Sequence, residues 1–123
     1  MFRPFAVTFA LPGTISSDAT FFFEAPCDLT LRAVTAAANN TATTTYINVG
    51  TAADPDGYLD AKAIGQDDDP SIFDLDDFNG ALVSDQGNDY PHIDKNTAIA
   101  VNIDVGDGTD PIDPCIVLWF EEG

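Results

Sequence analysis

The sequence predicts an all-β protein: a jelly-roll-like antiparallel β-sandwich of about eight strands, in a single domain over residues 1–123. Three observations carry this expectation. Apolar residues recur at every second position in short runs, and Gly, Pro, Asn and Asp break those runs at close intervals. No stretch sustains the helical apolar period. Asp outnumbers Glu by 18 to 3, and Asp bonds the backbone in turns whereas Glu favours helices.

The elements follow in order. Phe5 to Leu11 alternates, with Phe5, Val7, Phe9 and Leu11 on one face, and Pro12-Gly13 ends it. This alternation reads as a strand and not as the apolar stretch of a signal peptide. Thr20 to Glu24 is a short aromatic strand that stops at Ala25-Pro26, and Leu29 to Ala37 follows as far as an Asn39-Asn40 turn. Thr43 to Val49 places Thr43, Thr45, Ile47 and Val49 on one face. Asp54-Pro55-Asp56-Gly57 is a turn, because Pro presets its own φ and Gly accepts a positive one. Tyr58 to Ile64 is a weaker strand and Gln66 to Pro70 an acidic loop. Ile72 to Phe78 fits either a short helical face or an irregular edge. Gly80 to Val83 reads as a short strand and Asp85 to Asn96 as a loop. Thr97 to Val105 has the clearest alternation. Cys115 to Glu121 is apolar on both faces through Trp119 and Phe120, which places it centrally in a sheet.

Charge narrows the function classes. The chain has 21 acids against four cations (Arg3, Arg32, Lys62 and Lys95), a formal net charge of −17. Such a surface repels phosphate backbones and anionic headgroups, so neither nucleic acid nor membrane is expected as a partner. The same charge strains a compact fold in dilute buffer and is screened in molar salt, where the Debye length falls to about 3 Å. The acids run through most of the chain, which points to a salt-adapted surface. No run of about 20 apolar residues, the length that spans a bilayer, occurs.

Catalytic signals are weak, and no enzymatic activity is expected. His92 is the sole histidine and follows Pro91 in a loop. No nucleophile elbow surrounds Ser16, Ser17, Ser71 or Ser84. One His and two distant Cys do not make a zinc site. Asp54, Asp56 and Asp60 offer oxygen ligands to Ca2+, Mg2+ or a monovalent cation, although their spacing departs from an EF-hand and also fits a plain turn. No cofactor is required. Phe2, Phe5 and the run Phe21, Phe22 and Phe23 supply more aromatics than one sheet face buries, which marks them as interface candidates. Tyr46, Tyr58 and Tyr90 are the candidate platforms for a sugar ligand. Cys27 and Cys115 each stand beside a Pro-containing turn at the start of an apolar strand. They reach disulfide distance if those strands start at the same end of the sandwich, and otherwise serve as buried free thiols acting as small apolar residues.

The run Phe21-Phe22-Phe23-Glu24-Ala25-Pro26-Cys27-Asp28-Leu29-Thr30-Leu31-Arg32-Ala33-Val34, then Ile47-Asn48-Val49-Gly50-Thr51, then Asp54 to Ala61, resembles the small jelly-roll virion proteins of tailed phages and tailed haloarchaeal viruses. An aromatic strand meets an Ala-Pro turn, a Leu-x-Leu strand follows, and a Gly-Thr/Asp-Gly hairpin comes next. The resemblance is one of strands and turns and covers most of the chain. It implies a virion structural protein located in the virion, a capsid decoration or turret component ahead of a tail part. It also implies other virion proteins as partners and a homo-oligomer, with a trimer favoured. With the acidic composition, it implies a virus of a halophilic host. The alternative is a carbohydrate-binding or host-attachment module in a tail or spike.

Overall fold

The computed structural model describes residues 3–39, 45–66, 69–78, 82–83, 89–106 and 110–123. Among these residues there is no helix, and ten strands form: β1 (Pro4–Ala10), β2 (Ala19–Glu24), β3 (Leu29–Asn39), β4 (Tyr46–Thr51), β5 (Leu59–Ala63), β6 (Gly65–Gln66), β7 (Ser71–Phe73), β8 (His92–Ile93), β9 (Ala98–Asp104) and β10 (Ile112–Glu122). They make two sheets. In the first, β1, β10 and β3 run side by side, and the far side of β3 is filled piecewise by β6, β7 and β8. The second has the order β2-β9-β4-β5. With β6 to β8 sharing one position, the chain fills eight positions. Its early strands pass back and forth between sheets, giving the jelly-roll-like order of an antiparallel sandwich. The short β3–β6 pairing is parallel.

Alternation decides which side chains turn inward. Leu29, Leu31 and Val34 of β3 and Ile116, Leu118 and Phe120 of β10 meet Ile47 and Val49 of β4 and Ile99, Val101 and Ile103 of β9 in one buried cluster. β10 lies between β1 and β3, the central place its two apolar faces call for. Along the side where β1 and β2 are the edges, Phe9 packs against Phe21 and Phe23 at ring separations of 5.0 and 5.7 Å, and Phe120 against Phe5 at 5.5 Å.

Two irregularities shape β10 and β3. Pro114 has no N–H, and the β10–β3 register breaks between Ile112 and Cys115, where Asp113 adopts φ 52°. Asp113 stabilises this bend: Gly13 N–H donates to its carboxylate at 2.6 Å, and its own N–H donates to Gly13 O at 2.9 Å. The second break makes Arg32 an extra residue between Leu31 and Ala33. The guanidinium then sits 3.9 Å from the centre of the Tyr90 ring, a cation–π contact.

Three expectations need correction. Leu82 and Val83 lie in a turn and not in a strand, while Gly80 and Ala81 fall outside the described residues. The stretch expected as a loop over 85–96 contains β8, and β6 runs into the start of the expected acidic loop. Both short strands are recruited by the free side of β3, which pairing needs and composition does not reveal. Ile72 to Phe78 resolves into the edge strand β7 followed by a turn. The Asn40 half of the Asn39-Asn40 turn, and Thr43, lie outside the described residues.

Candidate docking face

Three adjacent rows of outward residues cross the first sheet without charge, and a fourth beyond them, Pro4, Glu121, Thr30 and His92, carries the Glu121 carboxylate. Of the three, Ala6, Trp119 and Ala33 make one; Thr8, Val117, Thr35 and Ile72 the next; Ala10, Cys115 and Ala37 the third. Small neighbours on both sides leave the Trp119 indole standing proud at 46% exposure, its Nε1–H donating to Thr35 Oγ1 at 3.3 Å. Ile72 is 66% exposed. The ten positions in these rows, each about 6.7 Å by 4.8 Å, give a flat area of roughly 300 Å².

Electrostatics isolates this face. Residues 4–17 and 29–53 contain no acid, although the chain has 21. These stretches supply β1 and β3, while β10 carries its acids only near its ends, at Asp113, Glu121 and Glu122. At the Glu121 end lie two exposed ion pairs, Arg32–Glu121 at 3.9 Å and Arg3–Glu122 at 4.0 Å. Exposed pairs at such distances contribute little to stability.

The opposite outer face differs in kind. Asn48 Nδ2 donates to Asn102 Oδ1 at 3.1 Å, and Asn102 Nδ2 donates to Thr20 Oγ1 at 3.0 Å, so a polar row crosses β4, β9 and β2. Asn48 Oδ1 also accepts from the Ala61 N–H at 2.7 Å, where the β4–β5 register breaks. Beside this row the Asp54–Gly57 turn folds down onto β4, and a Cβ at Gly50 would run into the backbone of Asp54, Pro55 and Gly57.

The interface candidates from the sequence divide between environments. Phe5, Phe21 and Phe23 face inward and are half-buried, because two sheets and not one supply inner faces for them. Phe22 is 61% exposed, on the outer face of the second sheet. Phe2 lies outside the described residues.

The Asp54, Asp56 and Asp60 loop is not assembled as a metal site. Among the described residues no group of three His, Cys, Asp or Glu side chains is placed to hold a metal ion. The Asp54 carboxyl instead hydrogen-bonds Asp56. That bond, then loss of solvent, then the charges of Asp56 and Asp60, raise its pKa above the ordinary value.

Cys27 and Cys115 are free thiols. Antiparallel β3 and β10 start at opposite ends of the sheet, so the condition for a bridge fails. The Cys27 thiol lies 3.6 Å from the Glu122 carboxylate, and Cys115 is seven residues away along the same strand, about 23 Å. Loss of solvent and the Glu122 hydrogen bond raise the Cys27 pKa.

Two of the three tyrosines are poor sugar platforms: Tyr58 is buried, and Tyr90 is covered by Arg32. Tyr46 is half-buried. His92 is exposed on β8, its Nε2 3.6 Å from Asp94.

Trp119, Ile72 and the Ala and Thr rows were not singled out from the sequence. A signal existed in the outward positions of β1 and β3, Ala and Thr where so acidic a chain would otherwise place Asp.

No family model matches the chain, and no curated protein does. Among solved structures the chain is similar to one described as "Cyanophage Pam1 capsid asymmetric unit", with a TM-score of 0.56 and 17% sequence identity over 99% of this chain and 85% of that one. At that identity the likeness is one of fold.

Proposed function

We propose that this chain is a virion structural protein, a capsid decoration or turret component of a tailed virus with a halophilic host, acting without catalysis. The observation that carries the reading is the three uncharged rows on the outer face of the first sheet, around Trp119 and Ile72, on a chain of net charge −17. A patch of this extent lies in the range of the largest apolar patch on an ordinary monomer, which is often functional. A capsid protein shares the fold, and a capsid lattice offers neighbours at fixed spacing. A face of roughly 300 Å² is under half of one side of a standard protein interface, so it acts with neighbouring contacts and not alone.

The carbohydrate-binding alternative loses support from the positions of Tyr58 and Tyr90.

The test is peptide mass spectrometry of gradient-purified particles kept in molar salt, together with the Trp119→Asp variant. The chain is expected in the particles at the stoichiometry of a capsid component, with W119D folded but absent from them. Absence of the wild-type chain from particles would overturn the reading, as would normal incorporation of W119D.

A further inference from the structure

The first sheet ends in an edge that lacks the usual protection. β1 pairs with β10 through an unbroken register, and its other side has no strand among the described residues. Glu122 N–H donates to Arg3 O at 3.1 Å, and Leu11 N–H to Pro114 O at 3.0 Å. In an antiparallel pair these exchanges recur at every second residue, so Arg3, Phe5, Val7, Phe9 and Leu11 use their backbone groups toward β10. The N–H and C=O groups of Ala6, Thr8 and Ala10 therefore point out from the sheet. Pro4 and Pro12 bound this window.

Sheet edges are commonly defended by charge, bulges or brevity. β5 carries Asp60, Lys62 and a register break beside Ala61, whose φ is 49°. β2 carries Glu24, and β6, β7 and β8 are short. β1 has seven residues, no charge and no bulge.

We propose that two copies of this chain pair through β1, antiparallel about a two-fold axis at Thr8, joining their first sheets into one. In that register Thr8 faces the second copy's Thr8 and Ala6 faces the second copy's Ala10, giving roughly six N–H···O bonds. Charge argues for a second copy as the occupant. Two chains of −17 approach with least repulsion where neither presents an acid, and residues 4–17 contain none. The axis stands perpendicular to the joined sheet, so both apolar outer faces look the same way. The flat area doubles to roughly 600 Å², approaching the per-partner size of a standard interface. This inference does not depend on the virion reading, because its readout is the isolated chain in solution.

The test is sedimentation velocity over a concentration series in molar KCl, with circular dichroism to verify folding. Thr8→Pro removes an N–H that the β1–β10 ladder does not use, so the monomer should stay folded. Dimerisation should weaken roughly tenfold or more, since two hydrogen bonds are lost across the axis. Thr8→Lys places like charges opposite each other and should also give a monomer, and mixing T8K with Thr8→Glu should restore a dimer. Should T8P unfold, the T8K and T8E pair decides. A wild-type chain that remains monomeric or forms a trimer would overturn the proposal. So would a dimer indifferent to T8P and T8K, or a T8K and T8E mixture that stays monomeric.

Discussion

At the scale of single residues, the structure depends on a few positions where shape and charge leave no alternative. Gly50 lies where the Asp54–Gly57 turn closes onto β4, and the groups a Cβ would meet are backbone atoms, including Gly57 N at 2.6 Å and Pro55 C at 2.7 Å. Backbone does not rotate aside as a side chain does. Gly50→Ala should therefore cost about 3 kcal/mol, at the upper end of overpacking penalties, read by urea unfolding in molar KCl. A change within about 0.5 kcal/mol, the ordinary surface range, would show that the turn has room. The same turn makes a pH prediction. The Asp54 pKa is raised on folding, so the folded chain binds a proton more readily than the unfolded one, and stability falls as pH rises from the ordinary value of 3.8 through the raised one. Asp56→Asn replaces the carboxylate that shares a proton with Asp54 by an amide able to donate to the ionised form. In dilute buffer it should raise the thermal midpoint at pH 7 by more than Glu24→Gln does, an equal charge change elsewhere, and the advantage should fade below pH 4. An advantage of the same size at pH 3 would contradict this account.

At the scale of elements, the long strands were legible because burial imposes a period of two. Ile99, Val101 and Ile103 of β9 and Phe5, Val7 and Phe9 of β1 point inward as their alternation requires. The short strands were not legible. β8 is His92-Ile93 within a stretch of loop residues, and what makes it a strand is the open side of Leu29 and Thr30 in β3. Pairing of that kind is decided by residues some sixty positions away, which a local pattern does not contain. The candidate face was hidden for a related reason. Trp119 between Ala6 and Ala33 becomes a patch only when β1, β10 and β3 are brought side by side. The cysteine alternatives likewise turned on strand direction, which the antiparallel pairing of β3 with β10 decides against a bridge.

At the scale of the whole molecule, the governing quantity is a net charge of −17 on 123 residues. The core is ordinary, so the penalty is mutual repulsion among surface acids, and that depends on screening. The Debye length falls from about 10 Å at 0.1 M salt to about 3 Å at 1 M. Each ~1 kcal/mol of relieved repulsion should raise the thermal midpoint by roughly 3–6 °C for a chain of this size. Midpoints measured in dilute buffer and in molar KCl should therefore differ clearly at pH 7 and converge at pH 3, where the carboxylates are protonated. Equal midpoints at pH 7 would remove the case for a salt-adapted surface. The charge also frames the central claim, because like-charged copies and neighbours meet with least repulsion at the uncharged rows around Trp119 and Ile72. The most direct measurement is a cryo-EM map of the particle whose genome encodes this chain. The account predicts jelly-roll density on the capsid, with Trp119 and Ile72 buried against a neighbouring virion protein. A particle lacking that density, or one in which the face carrying Trp119 and Ile72 is turned to solvent, would contradict it.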